Sequence, residues 1–342
     1  MPQAIGAMTS KSRLGIADYF AGLLYFCKRN RLLLYTIYDT FTSMKQRLLN
    51  TVAMLSAMLC LAVNLTSCAN KQDATSTAEQ PVAADSRFAT LDSLAVYMIQ
   101  DLMDRETPEE LVEQYESQSA AISAYWAQNH AGDDQSVMTE TVMGELKTLA
   151  DSLSAGSTVD MMMCGEIHSA IAQYLTAQAY CEHYRDNPLY QAEMRDWLLL
   201  EDELMDFYGD LATLTYWGGT ITTVVASSTI DNLCTARHDD YSQLKKGGQF
   251  ASGEMTIAEA RANLIEELSS AKSLEDDAVE ENAADFRQML NEMRGHADKV
   301  AALLDKWIAS RAALCQAEGI PEGHTARLIA QLSRLVMEII EG

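Results

Sequence analysis

Cys164 and His168 stand four residues apart, just after the run Met161, Met162, Met163. On a helix that spacing places both on one face, one turn apart. Two chemistries follow from it. A thioether, a thiolate and an imidazole from Met163, Cys164 and His168 would suit a soft, copper-like metal. Alternatively, His168 would lower the thiol pKa and make Cys164 a nucleophile. Packing competes with both readings. Methionines and a cysteine fill irregular core space beside Ile167, Ile171 and Leu175, and His168 would then be a satisfied core histidine. Packing is the expectation, so no catalytic residue, resident metal or cofactor is assigned.

Other constellations fail on spacing. Zinc proteases require two histidines at i and i+4 with a glutamate between them, and no pair among the six histidines has it. Di-iron bundles require glutamate three residues before histidine, and the residues three before His130, His168, His183, His238, His296 and His324 are all non-acidic. There is no phosphate-cradling glycine loop and no nucleophile elbow. Glu201 with Asp202, and Asp276 with Asp277, are sequence neighbours and so point to different helix faces, as solvated carboxylates do. Glu292 and His296 read as an i, i+4 surface contact. These absences favour a non-enzymatic protein.

A second stripe, Leu303, Trp307, Arg311 and Cys315, recurs every four residues. It makes Trp307 and Arg311 candidates for binding, with the guanidinium lying against the indole. Exposed aromatics at Tyr125, Trp126, Tyr216 and Trp217 would offer another docking patch. Four cysteines, Cys164, Cys181, Cys234 and Cys315, remain beyond Cys68. Cys164 and Cys181 share a predicted helix, where 17 residues put them about 25 Å apart, too far for a bridge. The open pairings are Cys164 with Cys234 plus Cys181 with Cys315, Cys164 with Cys315 plus Cys181 with Cys234, and Cys234 with Cys315 alone. Four free thiols are an equal alternative.

The elements that would position these groups are helices. Thr107, Pro108, Glu109, Glu110 forms a capping box with proline at the first helical position. That helix runs toward Gly132. Another runs from near Ser136 to Gly156. Ser157 with Asp160 caps the next, which carries Cys164 to His183. Asn187 and Pro188 restart the chain for a long helix to Tyr216, ended at Gly218 and Gly219. The β-branched run Thr220 to Val225 has no strand partner and reads as helix or loop. Further helices follow over Ile230 to Lys246, after a second Thr-type box at Thr256 and Glu259, over Glu281 to Ala317, and from Pro321 to Ile340. The prediction is an all-α fold, a multi-helix bundle with long helices over 87–342, with a sub-boundary near 247–255.

Ahead of it lies a different composition. Lys45 and Arg47 precede Val52 to Val63, twelve residues broken only by Ser56, and Leu65, Thr66, Ser67, Cys68 closes the run. Basic segment, short apolar core and small residues are the parts of a secretory signal, and the core is too short to span a bilayer. The ending resembles the lipobox of bacterial lipoproteins. The resemblance implies a signal peptide over 44–67, cleavage before Cys68, and lipidation of its thiol. It implies a cell-envelope address, with the outer membrane favoured because Ala69 carries no acidic retention signal. Residues 1–43 read as a gene-model extension or leader. Residues 68–86, mostly Asn, Lys, Gln, Asp, Thr, Ser, Glu, Pro and Ala with almost nothing apolar to bury, read as a flexible tether.

Removing residues 1–67 takes away seven of the 25 basic and two of the 49 acidic residues, leaving 18 against 47 and a formal charge of −29. Nucleic acid is bound through clustered cations, so this charge argues against it and for a cationic partner steered in from solution. Lys306, Trp307, Ile308, Ala309, Ser310, Arg311, Ala312, Ala313, Leu314, Cys315 resembles the end of the helical module of LprI-type lysozyme inhibitors, a likeness spanning 256–315. That resemblance implies a Cys234–Cys315 bridge and capture of a cationic hydrolase. The leading expectation is an envelope lipoprotein acting as a helical binding or scaffolding module. The LprI-like inhibitor and a metal or thiol enzyme at Cys164 and His168 are the alternatives.

Overall fold

The computed structural model describes residues 86–100, 105–216, 219–245, 255–274 and 283–341. The expected leader, signal peptide, Cys68 and tether, apart from Ser86, lie outside these residues, as do Trp217, Asp276, Asp277 and the expected sub-boundary at 247–255, apart from Met255. The described residues form nine α-helices and two short 3-10 turns: α1 Leu91–Gln100, α2 Pro108–Asn129, α3 Met138–Leu153, α4 Thr158–His183, α5 Pro188–Thr215, α6 Thr220–Lys245, α7 Ile257–Lys272, α8 Ala283–Glu318 and α9 Glu322–Glu341. The protein is an all-α multi-helix bundle. No described helix is long and apolar enough to cross a membrane.

Local sequence sets four of the nine described helix starts. Thr107, Ser157 and Thr256 each accept from the third helical backbone N–H while Glu110, Asp160 and Glu259 reach back, closing three capping boxes. Each box satisfies donors that would otherwise be orphaned at a helix start. Asn187 caps α5, with Pro188 in its first turn. α8 stops at Gly319, whose φ of 68° lets Ile320 N–H bond back to the Cys315 carbonyl. That is a glycine-terminated helix end.

α6 departs from expectation at its start. It begins at Thr220, ten residues before the expected Ile230, because the β-branched stretch is itself helical. Thr223 and Thr229 hydroxyls donate to the carbonyls of Thr220 and Val225, which relieves the polar groups of these poor helix formers. α4 lies alongside and supplies the packing. Ser227 Oγ donates to the Met162 carbonyl at 2.9 Å, His168 faces Asp231, and Gln173 meets Cys234. The pairing numbers rise together, so α4 and α6 run parallel, with α5 as the crossover. Gly165 permits the approach: a Cβ there would sit 2.5 Å from Ser227 Oγ and 3.1 Å from its carbonyl oxygen.

Two apolar cores result. One joins Phe88, α1, α2, α3 and α4 as far as Tyr174 through Leu94, Ile122, Trp126, Val142, Leu146 and Ile167. The other joins the end of α4 to α5 through α9, around Trp197, Leu204, Phe207, Leu264, Val300, Trp307, Ile329 and Val336. α2 and α4 contribute to both. Among the described residues the cores divide along α4. In the second core α5 and α8 are antiparallel: Glu193 meets Trp307 and Arg311, Asp196 meets Lys306, and Glu203 meets His296 and Lys299.

Candidate functional site

Chemistry-bearing side chains concentrate where α5, α6, α8 and α9 meet. Glu193, Arg237, Asp240, Arg311 and His324 are all nearly solvent-free, at 0%, 1%, 5%, 0% and 3% exposure. Arg237 donates to both Glu193 oxygens at 2.9 and 2.8 Å and to Asp240 at 3.0 Å. Arg311 donates to Glu193 at 3.3 Å and to Asp240 at 2.7 Å. Trp307 Nε1–H and Tyr241 O–H also donate to Glu193, at 2.7 and 3.1 Å. His324 Nδ1 lies 2.7 Å from Asp240 Oδ1. Two carboxylates thus meet two guanidiniums, with charge-assisted hydrogen bonds at nearly every oxygen.

Electrostatics follow from this geometry. Burial would raise the Glu193 carboxyl, but Arg237 and Arg311 outweigh it and hold it below its ordinary value. Burial acts likewise on Asp240, where Arg311, the His324 hydrogen bond and Arg237 win. Tyr241 is pushed well above its usual range, by burial first and then by Glu193. The Arg237 guanidinium is sandwiched between the rings of Trp197 and Tyr241, 4.4 Å from each centroid. The set matches two carboxylates with two guanidiniums and ties α5, α6, α8 and α9 to one another. Its carboxylates are committed to internal partners.

Trp307 and Arg311, the candidates for binding, are interior residues at 0% exposure. The indole and guanidinium converge on Glu193, and the cation–π contacts of this core are made by Arg237 instead. The i+4 stripe was correctly read as one face, but that face is turned inward. Glu201, read as solvated, is 5% exposed and lies 3.8 Å from Arg105. Its neighbour Asp202 sits on a different, partly exposed face. Tyr125 and Trp126 are core residues at 6% exposure each, and Tyr216 is half-buried.

Around Cys164 the structure corrects the proposed activation. His168 sits between Asp151 and Asp231, with Nε2 and Nδ1 each 3.5 Å from a carboxylate oxygen. Burial raises the Cys164 thiol above its usual value, and the charges of Asp231 and then Asp151 push the same way. A thiolate is disfavoured there. Met163 is half-buried, and among the described residues no group of three or more histidines, cysteines and carboxylates is arranged to hold a metal.

The four cysteines are free thiols. Cys234 Sγ receives a hydrogen bond from Gln173 Nε2 at 3.2 Å, and Cys315 Sγ lies 3.7 Å from Thr325 Oγ1. The Cys234–Cys315 bridge is not formed. Burial pushes Cys181 up to about 11 and Cys234 higher still. His296, paired in sequence with Glu292, instead bonds across to Glu203 on α5, where Lys299 joins at 3.4 Å and Asp210 at 3.8 Å from the ring.

Sequence reasoning missed Glu193, Arg237, Asp240 and His324. One signal was available: Glu193, Trp197 and Glu201 repeat every four residues on a helix otherwise lined with leucines, an arrangement that places carboxylates on an apolar face. The fold and this site define a helical bundle locked by a buried ionic cluster. Compared with known proteins, the chain matches no family model, no curated protein and no solved structure.

Proposed function

We propose that this protein is a bacterial envelope lipoprotein, anchored through lipid on Cys68, whose helical body is a non-enzymatic binding or scaffolding module. The observation that carries the reading is the basic segment and short apolar run ending on Leu65, Thr66, Ser67, Cys68. Acyl chains on one cysteine contribute roughly 0.8 kcal/mol per buried methylene, and more than one chain anchors stably. The outer membrane is the favoured address. The body supports a binding role because its charged core is occupied in holding helices together, and Cys164 lacks the environment of a nucleophile.

The partner in this reading is a cationic envelope protein, attracted by a formal charge of −24 on the whole chain and more once the leader is lost. The LprI-like inhibitor is one member of this class. Trp307 and Arg311, which carry that likeness, would serve its fold and not its contact surface.

The test is metabolic labelling with a radioactive fatty acid in a bacterium expressing the full chain. Label in the protein, abolished by Cys68→Ala together with release from the membrane fraction, supports the proposal. An unlabelled chain that retains residues 1–67 overturns it.

A further inference from the structure

Beside the ionic cluster, Arg105, Gln173, Trp197, Glu201, Cys234 and Arg237 line a cavity of about 10 Å³, the space of roughly one water molecule. Three of these side chains carry a polar atom with no protein partner: the Gln173 carbonyl oxygen, the Trp197 indole N–H and the Arg237 Nε–H. Their residues are 5%, 1% and 1% exposed, so bulk solvent does not serve them. The other polar atoms of the same side chains are engaged. Gln173 Nε2 donates to Cys234 Sγ, which fixes the amide, and the Arg237 terminal nitrogens are held by Glu193 and Asp240.

We propose that this cavity is the binding site of one ordered water molecule, accepting from Trp197 and Arg237 and donating to Gln173. The match is stoichiometric. A water has two lone pairs for the two donors and a proton for the one acceptor, and buried waters make two to four such bonds. An apolar occupant would leave all three atoms desolvated without a partner. At about 10 Å³ the space has no room for a polyatomic anion or a drug-sized ligand. The water joins Gln173 of α4, Trp197 of α5 and Arg237 of α6. It thereby connects the ionic cluster to α4, one of the two helices shared by both apolar cores.

Full-chain protein labelled with ¹⁵N only at tryptophan tests this, by measuring magnetisation transfer from water to each indole N–H. The expected result is a cross-peak at Trp197, assigned by its loss in Trp197→Phe, and none at Trp307. Trp307 is equally buried but donates to Glu193, so it is the internal control. A missing peak at Trp197, or one matched at Trp307, overturns the proposal. Should the variant fail to fold, a crystal structure decides. One spherical density peak within about 3.2 Å of Gln173 Oε1 and Trp197 Nε1 supports the water. Elongated density or none overturns it.

Discussion

Glu193 accepts from two arginines, a tryptophan and a tyrosine drawn from α6 and α8, and its neutralisation would leave two buried guanidiniums short of charge. Breaking one partner of such a buried set costs about 3–5 kcal/mol, so Glu193→Gln should lower the urea midpoint by that equivalent. The pH dependence has a definite sign. Glu193 and Asp240 are held below their ordinary values in the folded chain, so their contribution is present above the unfolded carboxyl range and lost as pH falls through about 4 and below. Urea midpoints at pH 7, 5 and 3.5 should fall most over the last interval. The fall should be shallower in Glu193→Gln, and a midpoint that rises on acidification would contradict the cluster. At Cys164 the raised thiol predicts alkylation at pH 7 no faster than a small free thiol, with His168→Ala leaving the rate within about twofold. Rapid, His168-dependent alkylation would revive the thiol enzyme. Little of the ionic cluster was legible residue by residue: Glu193 and Arg311 are 118 positions apart, and the spacing of Glu193, Trp197 and Glu201 marks a face without saying which neighbour covers it.

The helix boundaries were more legible, because capping is local. Three boxes could be read from pairs three residues apart, since Thr or Ser followed by Glu or Asp satisfies backbone donors whatever the tertiary fold. Thr107→Ala should accordingly lose about 1 kcal/mol without changing the helical circular dichroism of the native chain. The N-terminal half of α6 shows where this local reasoning ends. Threonine and valine disfavour helix only weakly, and packing on α4 decides the outcome. Gly165 is the residue through which that packing acts. Its replacement by valine should destabilise by about 1–3 kcal/mol or more through overpacking against Ser227, whereas Gly144→Ala, with nothing within 4 Å of the added carbon, should be neutral or stabilising. Equal effects at the two glycines would contradict the close parallel contact of α4 and α6.

On the scale of the whole molecule, an all-α bundle follows from helical periodicity, five prolines in 342 residues and no paired strand signals. The division into two cores along α4 does not, because α4 is apolar on several sides and its sequence alone does not show that it serves both. The acidic balance belongs to this scale too. If charge steers a cationic partner, association should slow at least severalfold between 50 and 300 mM salt, as the screening length falls below about 10 Å, and a salt-independent rate would contradict steering. The central claim, a lipid-anchored envelope module, depends on how the chain begins after export. Intact-mass and amino-terminal measurement of the protein taken from its native membrane tests it most directly. The account predicts a chain starting at Cys68 and carrying acyl groups; a chain that retains residues 1–67, with Cys68 unmodified, would contradict it.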